Sequence, residues 1–180
     1  RKIKSTNLEN ATDCGIEDIH AESFREWWNF SKSLKDPDKI RNALYYGFQP
    51  VYDQLVADSI KPNNRSAAVD FLDNLISVSK DFLTEYYLGD CDVKKVRRGI
   101  ADLEPVVDKL EGVDYNTKFR NLGRSYFSAQ DLKLFLQTFM ELSLAGRITL
   151  PDFVVGCACG SSEIAMPLAG IIGIDVGFMR

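Results

Sequence analysis

The chain has 180 residues, 45% of them hydrophobic and 27% charged, with a formal net charge of -4. That content suits one or two small globular domains, and the acidic balance argues against a general nucleic-acid binder, so contact with nucleic acid is expected only through a partner. No apolar run approaches the roughly 18 residues needed to cross a membrane. The four cysteines, Cys14, Cys91, Cys157 and Cys159, are too scattered for a disulfide framework, which makes a reducing cytoplasm the expected location.

Residues 1–15 are polar and mixed and read as a tail; Arg1-Lys2-Ile3-Lys4 has neither an initiator methionine nor the apolar core of a signal peptide, which suggests processing. From Ile16 to Leu34 the residues Ile19, Phe24, Trp27, Trp28, Phe30 and Leu34 give a broad apolar face and predict a helix. Asp36 or Pro37 starts a second helix, running from about Lys39 to Ile60, in which Gly47 and Pro50 predict an interruption. Lys61-Pro62-Asn63-Asn64 reads as a turn with a cap. The most regular pattern is Arg65 to Leu88, where Ala68, Phe71, Leu72, Leu75, Ile76, Val78, Phe82, Leu83 and Tyr86 recur every three or four residues, and Gly89 ends it. Asp92 caps a helix from Val93 to about Leu110, with Val96, Ile100, Leu103, Val107 and Leu110 inward and a kink expected at Pro105. Glu111 to Tyr126 is an irregular loop. Ser128 with Asp131 resembles a capping box for a helix over Ala129 to Ala145, which buries Leu132, Phe135, Leu136, Phe139, Met140 and Leu142 and closes at Gly146.

The pattern then changes. Phe153-Val154-Val155, introduced by Pro151-Asp152, reads as a strand buried on both faces of a parallel sheet. Gly156-Cys157-Ala158-Cys159-Gly160-Ser161-Ser162 reads as a tight turn. Glu163 to Ile172 reads as a helix with Pro167 near the end of its first turn, Gly173 as its C-cap, and Asp175 to Met179 as a second strand. The short link from Gly146 to Pro151 predicts that the preceding helix packs on the sheet. The fold class is therefore mainly α: a helical region leading into a β-loop-α-β unit of a parallel α/β sheet. The expected division is tail 1–15, helical bundle or hood 16–126, and α/β core 127–180.

The turn sits at the carboxyl end of a strand and the amino end of a helix, where open α/β sheets bind anions. Spacing excludes three common motifs. A P-loop requires Gly-Lys-Ser/Thr, and no lysine lies between Gly156 and Arg180. The dinucleotide fingerprint requires G-x-G-x-x-G, whereas the glycines here are Gly156 and Gly160. A nucleophile elbow would need its nucleophile where Ala158 stands.

Other residues read as structural. His20, the single histidine, has no partner in sequence and reads as a helix residue. Cys157-Ala158-Cys159 lacks the second pair or histidine of a metal site, so no metal ligands are assigned, although Cys159 at a helix amino end invites thiol labelling. Trp27-Trp28 and Tyr45-Tyr46 read as core. Lys94, Lys95, Arg97 and Arg98 read as a solvated helix face.

Pro151-Asp152-Phe153-Val154-Val155-Gly156, a variable triplet, Gly160-Ser161 and an alanine-containing helix resemble the first strand and pyrophosphate loop of type I phosphoribosyltransferases. Cys159 stands where that family often has a basic residue, and Ser161 replaces the second glycine. The family's second signature, an acidic pair followed by a Thr/Gly-rich loop, is not found, and the expectation is that this chain is the front part of a longer protein. The resemblance implies a ligand, phosphoribosyl pyrophosphate or a nucleotide-like anion, held at the loop 156–162 by Cys159, Gly160, Ser161 and Ser162, with Arg180 as charge partner. It implies Mg2+ as cofactor and glycosyl transfer as the reaction if the second signature is supplied, with no catalytic residue assigned. It also suggests a nucleotide-metabolism role, or an effector or sensor in antiviral defence. The alternative is a non-catalytic helical scaffold for a protein or ribonucleoprotein partner, or a homo-oligomer, with a degenerate α/β unit.

Overall fold

The computed structural model describes residues 21, 23–110, 113, 115, 129–157 and 162–179. Within them the order is α1 (Phe24–Ser31), α2 (Pro37–Val56), α3 (Pro62–Leu88), α4 (Val93–Ala101), α5 (Glu104–Val107), a 3-10 turn (Asp108–Leu110), α6 (Ala129–Leu144), β1 (Val154–Cys157), α7 (Ser162–Ile172) and β2 (Val176–Met179). The chain is mainly helical, as expected, and ends in a two-stranded parallel sheet. The expected tail, the loop 116–126 and Ser128 of the expected capping box lie outside the described residues, as does the boundary at 126/127.

Helix α1 begins later than its apolar pattern suggests. Ser23 has extended backbone and its hydroxyl accepts from the Glu26 N–H at 3.2 Å, so the helix starts at Phe24. Its two tryptophans then point into the molecule. Trp27 Nε1 donates to the Ala43 carbonyl of α2 at 2.7 Å, and Trp28 Nε1 donates to the Ile100 carbonyl of α4 at 2.8 Å. Each indole thus buries a large apolar surface with its one polar atom satisfied. Lys32 and Arg25 place their cations over the Trp28 ring, at 3.4 and 4.9 Å from its centroid.

Helix α2 is capped by Asp36, whose carboxylate accepts from the Asp38 N–H at 2.9 Å, and has Pro37 in its first turn. The expected interruption does not occur: α2 runs unbroken through Gly47 and Pro50. Gly47 is there for a neighbour. A Cβ at this position would lie 2.2 Å from Trp27 Cζ2, so the indole occupies the space a side chain would need. Tertiary packing thus overrides the low helix propensity of Gly47.

Helix α3 is the axis of the bundle and packs against α2, α4, α5, α6 and α7. It starts at Pro62 with no side-chain cap, so Asn63 and Asn64 lie in its first turn rather than in a loop. Gly89 ends it in the left-handed region, at φ 94°. Asp92 caps α4 as expected, accepting from Lys94 and Lys95 N–H at 2.8 and 3.1 Å. The single helix expected to Leu110 instead breaks at Asp102-Leu103, ahead of Pro105, which falls in the first turn of α5. All five residues assigned inward there, Val96, Ile100, Leu103, Val107 and Leu110, are buried.

Helix α6 buries Leu132 and Leu136, but Phe135 is 48% exposed and Phe139, Met140 and Leu142 are only half-buried. Its main neighbours are α3 and α7, not the strands. Strand β1 also differs from expectation. It extends through Gly156 and Cys157, and its burial alternates: Val154 and Gly156 face α7, while Phe153 and Val155 are each 52% exposed. Among the described residues, α7 covers one face of the sheet and no element covers the other. Val154 pairs with Val176 and Cys157 with Met179 in parallel register. The main core is continuous from Ala21 to Met166 of α7, and Val154, Ala165 and Ala169 make a smaller core between α7 and the sheet.

Gly47→Ala should destabilise the protein by about 1–3 kcal/mol, the usual cost of overpacking a core. Chemical denaturation of the variant checks this; unchanged stability would show that the indole is free to move aside.

Candidate functional site

In the parallel pairing of β1 and β2 with α7 crossing between them, residues 158–161 connect the carboxyl end of β1 to the amino end of α7. Gly156 belongs to the strand rather than the turn. A Cβ there would lie 2.7 Å from Phe178 Cε1 and 3.0 Å from Ala165 Cβ, so its smallness lets β2 and α7 close on β1. Pro167 is the sixth residue of α7, just past its first turn, and is buried.

Of the residues expected to bind an anion, Cys159, Gly160, Ser161 and Arg180 lie outside the described residues. Ser162 is described. It opens α7, is 3% exposed, and its hydroxyl has no hydrogen-bond partner. It faces a set of side chains that sequence reasoning missed. Glu163, one residue on, reaches back into the helical bundle. Its Oε1 accepts from the Tyr87 hydroxyl of α3 at 2.7 Å and lies 3.2 Å from Arg41 Nε of α2. That separation is an ion pair, but the N–H is not aligned with the oxygen, so Arg41 Nε remains without a hydrogen bond. Arg41 is 7% exposed and the Glu163 side chain 14%. Ser79 of α3, 1% exposed and also without a partner, lines the same cavity of about 20 Å3, together with Ser162, Leu83 and Met166.

The electrostatics follow from burial. Burial alone would lower the Arg41 pKa, but Glu163, Tyr87 and Tyr86 outweigh it and the net direction is up, so the guanidinium stays charged. Burial, then the charge of Glu163, raises Tyr87, which holds it as a neutral donor. Tyr86 is raised by burial and by its hydrogen bond to Asp38. An acidic side chain in the first turn of α7 also complements the helix dipole.

The remaining residues singled out in the sequence lie away from this cluster or at its border. Trp27 and Trp28 are core, as expected. Tyr45 is half-buried and borders the cavity. Lys94, Lys95 and Arg98 are exposed, as expected for a solvated face, whereas Arg97 is partly buried and donates to the Lys32 carbonyl at 2.9 Å. Lys95 joins Glu85 at 2.7 Å and Asp81 at 3.4 Å, an exposed network beside a cavity of about 130 Å3 between α3 and α4. Cys157 is exposed at the end of β1 and is not in a disulfide. His20 lies outside the described residues. So does the one adjacent acidic pair in the sequence, Glu17-Asp18, which no Thr/Gly-rich loop follows. Among the described residues no group of three or more His, Cys, Asp or Glu side chains is arranged to hold a metal ion, and no helix is long and apolar enough to cross a membrane.

Comparison with protein-family models, curated proteins and solved structures found no match.

Glu163→Gln or Arg41→Ala should each cost about 3–5 kcal/mol, because either leaves a buried group of the pair uncompensated, and Arg41→Met with Glu163→Gln should recover part of that loss. A denaturation double-mutant cycle measures it; additive losses would mean the two side chains do not interact. Alkaline unfolding gives a second readout. Tyr87 is raised above its ordinary value of 10.0, so its contribution is complete below that pH and is lost as pH rises beyond it. Tyr87→Phe should flatten the fall in stability above pH 10.0, and an unaltered slope would contradict the burial of the phenol.

Proposed function

We propose that the carboxyl-terminal β-loop-α-β unit binds a phosphorylated ligand in the manner of a phosphoribosyltransferase pyrophosphate loop. The observation that supports this is the parallel β1-α7-β2 arrangement, in which residues 158–161 connect the carboxyl end of β1 to the amino end of α7, where the helix dipole favours negative charge. In this reading the backbone N–H groups of Cys159, Gly160, Ser161 and Ser162 receive the phosphoryl oxygens, and Arg180 supplies a countercharge. The ligand is phosphoribosyl pyrophosphate or a nucleotide-type anion. Mg2+ would neutralise charge on a bound diphosphate, but the described residues offer no metal cage, so no step of the proposal runs through the ion. Glycosyl transfer in this family also needs the acidic pair and Thr/Gly-rich loop that hold the 5-phosphate, and this chain has no such element. The proposal is therefore one of binding, with an effector or sensor role as natural as a catalytic one.

A different observation favours the second reading, a scaffold whose apolar surfaces are covered by a protein partner. Leu134 is 62% exposed and Leu144 82% on α6, and Phe153, Val155 and Met179 lie open on the sheet. Parallel sheets are ordinarily covered on both faces.

Calorimetric titration with phosphoribosyl pyrophosphate, with and without Mg2+, separates the two. The first reading expects saturable binding that Gly160→Asp abolishes and Arg180→Ala weakens about tenfold. No binding, together with self-association that Leu144→Glu disrupts in sedimentation, would overturn it in favour of the scaffold.

A further inference from the structure

Among the described residues the sheet is covered on one side only, by α7. Alternation along the strands places Phe153, Val155 and Cys157 of β1, with Gly177 and Met179 of β2, on the other side. Phe153, Val155 and Met179 are each half exposed, and the Phe153 ring lies over Gly177, so the apolar surface is one patch across both strands. Strands of parallel sheets are ordinarily buried on both faces. On the scaffold reading a partner protein covers this patch, and the charge and shape of the patch say what kind.

The charge lies at the amino ends of the strands. Asp152 stands ahead of β1 and Asp175 ahead of β2; both are exposed, and neither pairs with a described cation. No lysine or arginine occurs between Pro151 and Met179. An acidic rim of this kind repels phosphate groups, which disfavours nucleic acid and anionic lipid as occupants. It is equally poor for a second copy, because two such faces stacked together would enclose like charges with no cation from residues 151–179 of either chain. The complementary partner is apolar over the strands and positive at their amino ends.

The covered face shows what shape a sheet of this size takes. There α7 lays Ala165, Leu168, Ala169 and Ile172, a stripe at three- and four-residue spacing, against two strands of four residues each. Helices are the usual cover for both faces of parallel strands. We infer that the open face docks an amphipathic helix of a partner protein, about three turns long, with its apolar stripe on Phe153, Val155 and Met179 and a lysine or arginine opposite Asp175. The site is on the sheet face away from α7 and uses none of the residues 158–161, so anion binding there neither requires it nor is required by it.

Two synthetic peptides of about 18 residues, long enough to form a helix alone, test this by calorimetric titration of the full chain. One carries leucines at three- and four-residue spacing with lysines on the flanks, and the other has glutamates in place of the lysines. The lysine peptide should bind saturably, and Val155→Glu and Asp175→Lys should each weaken it about tenfold. The glutamate peptide should bind the parent chain more weakly and gain affinity for Asp175→Lys, a reciprocity that apolar stickiness alone does not produce. No binding of the lysine peptide, or equal binding to parent and both variants, overturns the inference. Sedimentation then decides separately on the scaffold reading, which survives if the chain self-associates and Leu144→Glu disrupts it. Self-association disrupted by Val155→Glu instead places a second copy on the face, and also overturns the inference. Both variants should melt within about 2 °C of the parent, as exposed substitutions do; a larger fall for Val155→Glu means that the chain covers this face itself, and the helix has no place there.

Discussion

Where α7 meets α2 and α3, beside the hydrophobic core they share, a carboxylate and a guanidinium are kept out of water together. Glu163 leaves the first turn of α7, enters the helical bundle, and finds Arg41 from α2 and the Tyr87 hydroxyl from α3. Two apolar side chains of similar volume would stabilise the junction as well or better, since desolvating charges offsets most of their attraction. What the ionic pair adds is a single seating. A sliding or rotated α7 would leave a buried charge unanswered, while an apolar contact would tolerate the shift. The orientation of α7 matters because its flank carries the sheet and its amino end follows directly on the segment from β1. The helical bundle thereby sets the direction in which the α/β unit faces.

The sheet shows a related division. Phe178 of β2 reaches from the smaller core to the main one, with its ring 4.9 Å from Phe48 of α2 and 6.3 Å from Tyr52. Gly156 lets it lie close across β1. On the opposite face, Phe153 lies over Gly177, where a Cβ would meet its Cζ at 2.7 Å, and is still half exposed. Burial is thus concentrated on the α7 side. Both functional readings draw on this asymmetry: the anion reading uses the end of the strands, and the scaffold reading uses their uncovered side.

How far the sequence revealed this structure depends on the scale of the signal. The long helix α3 and the inward row from Val96 to Leu110 were plain, because burial of one face leaves three- and four-residue spacing in the chain. Asp36 and Asp92 marked helix starts because a short acceptor side chain there meets free N–H groups. The β-loop-α-β order was legible from the change in period and the glycines. Where tertiary contacts decide, local rules failed. Gly47 and Pro50 do not break α2; at Gly47 the reason is the Trp27 indole packed on the helix. The apolar face from Ile16 onward did not disclose that the described helix opens at Phe24, since the cap is a serine within an otherwise continuous pattern. Val155 was placed in a two-sided core although only one side of the strand is covered. The Arg41 cluster did leave a trace: Arg41 shares the row of Leu44, Tyr45 and Phe48, and Ser79 that of Leu75 and Phe82. A charge or hydroxyl in an apolar row signals an interior partner, but the partner, Glu163, is distant in the chain and only the fold brings it near.

The pair of indoles on α1 has a practical consequence. The chain contains two tryptophans, and both stand on this one short helix, buried, hydrogen-bonded to α2 and α4, with cations resting on Trp28. Intrinsic fluorescence is therefore a local gauge: it senses whether α1 is seated on the bundle, and it is blind to events at the strands. Spectroscopy of the opposite end must draw on a separate label, for which the exposed thiol of Cys157 at the tip of β1 is the natural attachment point.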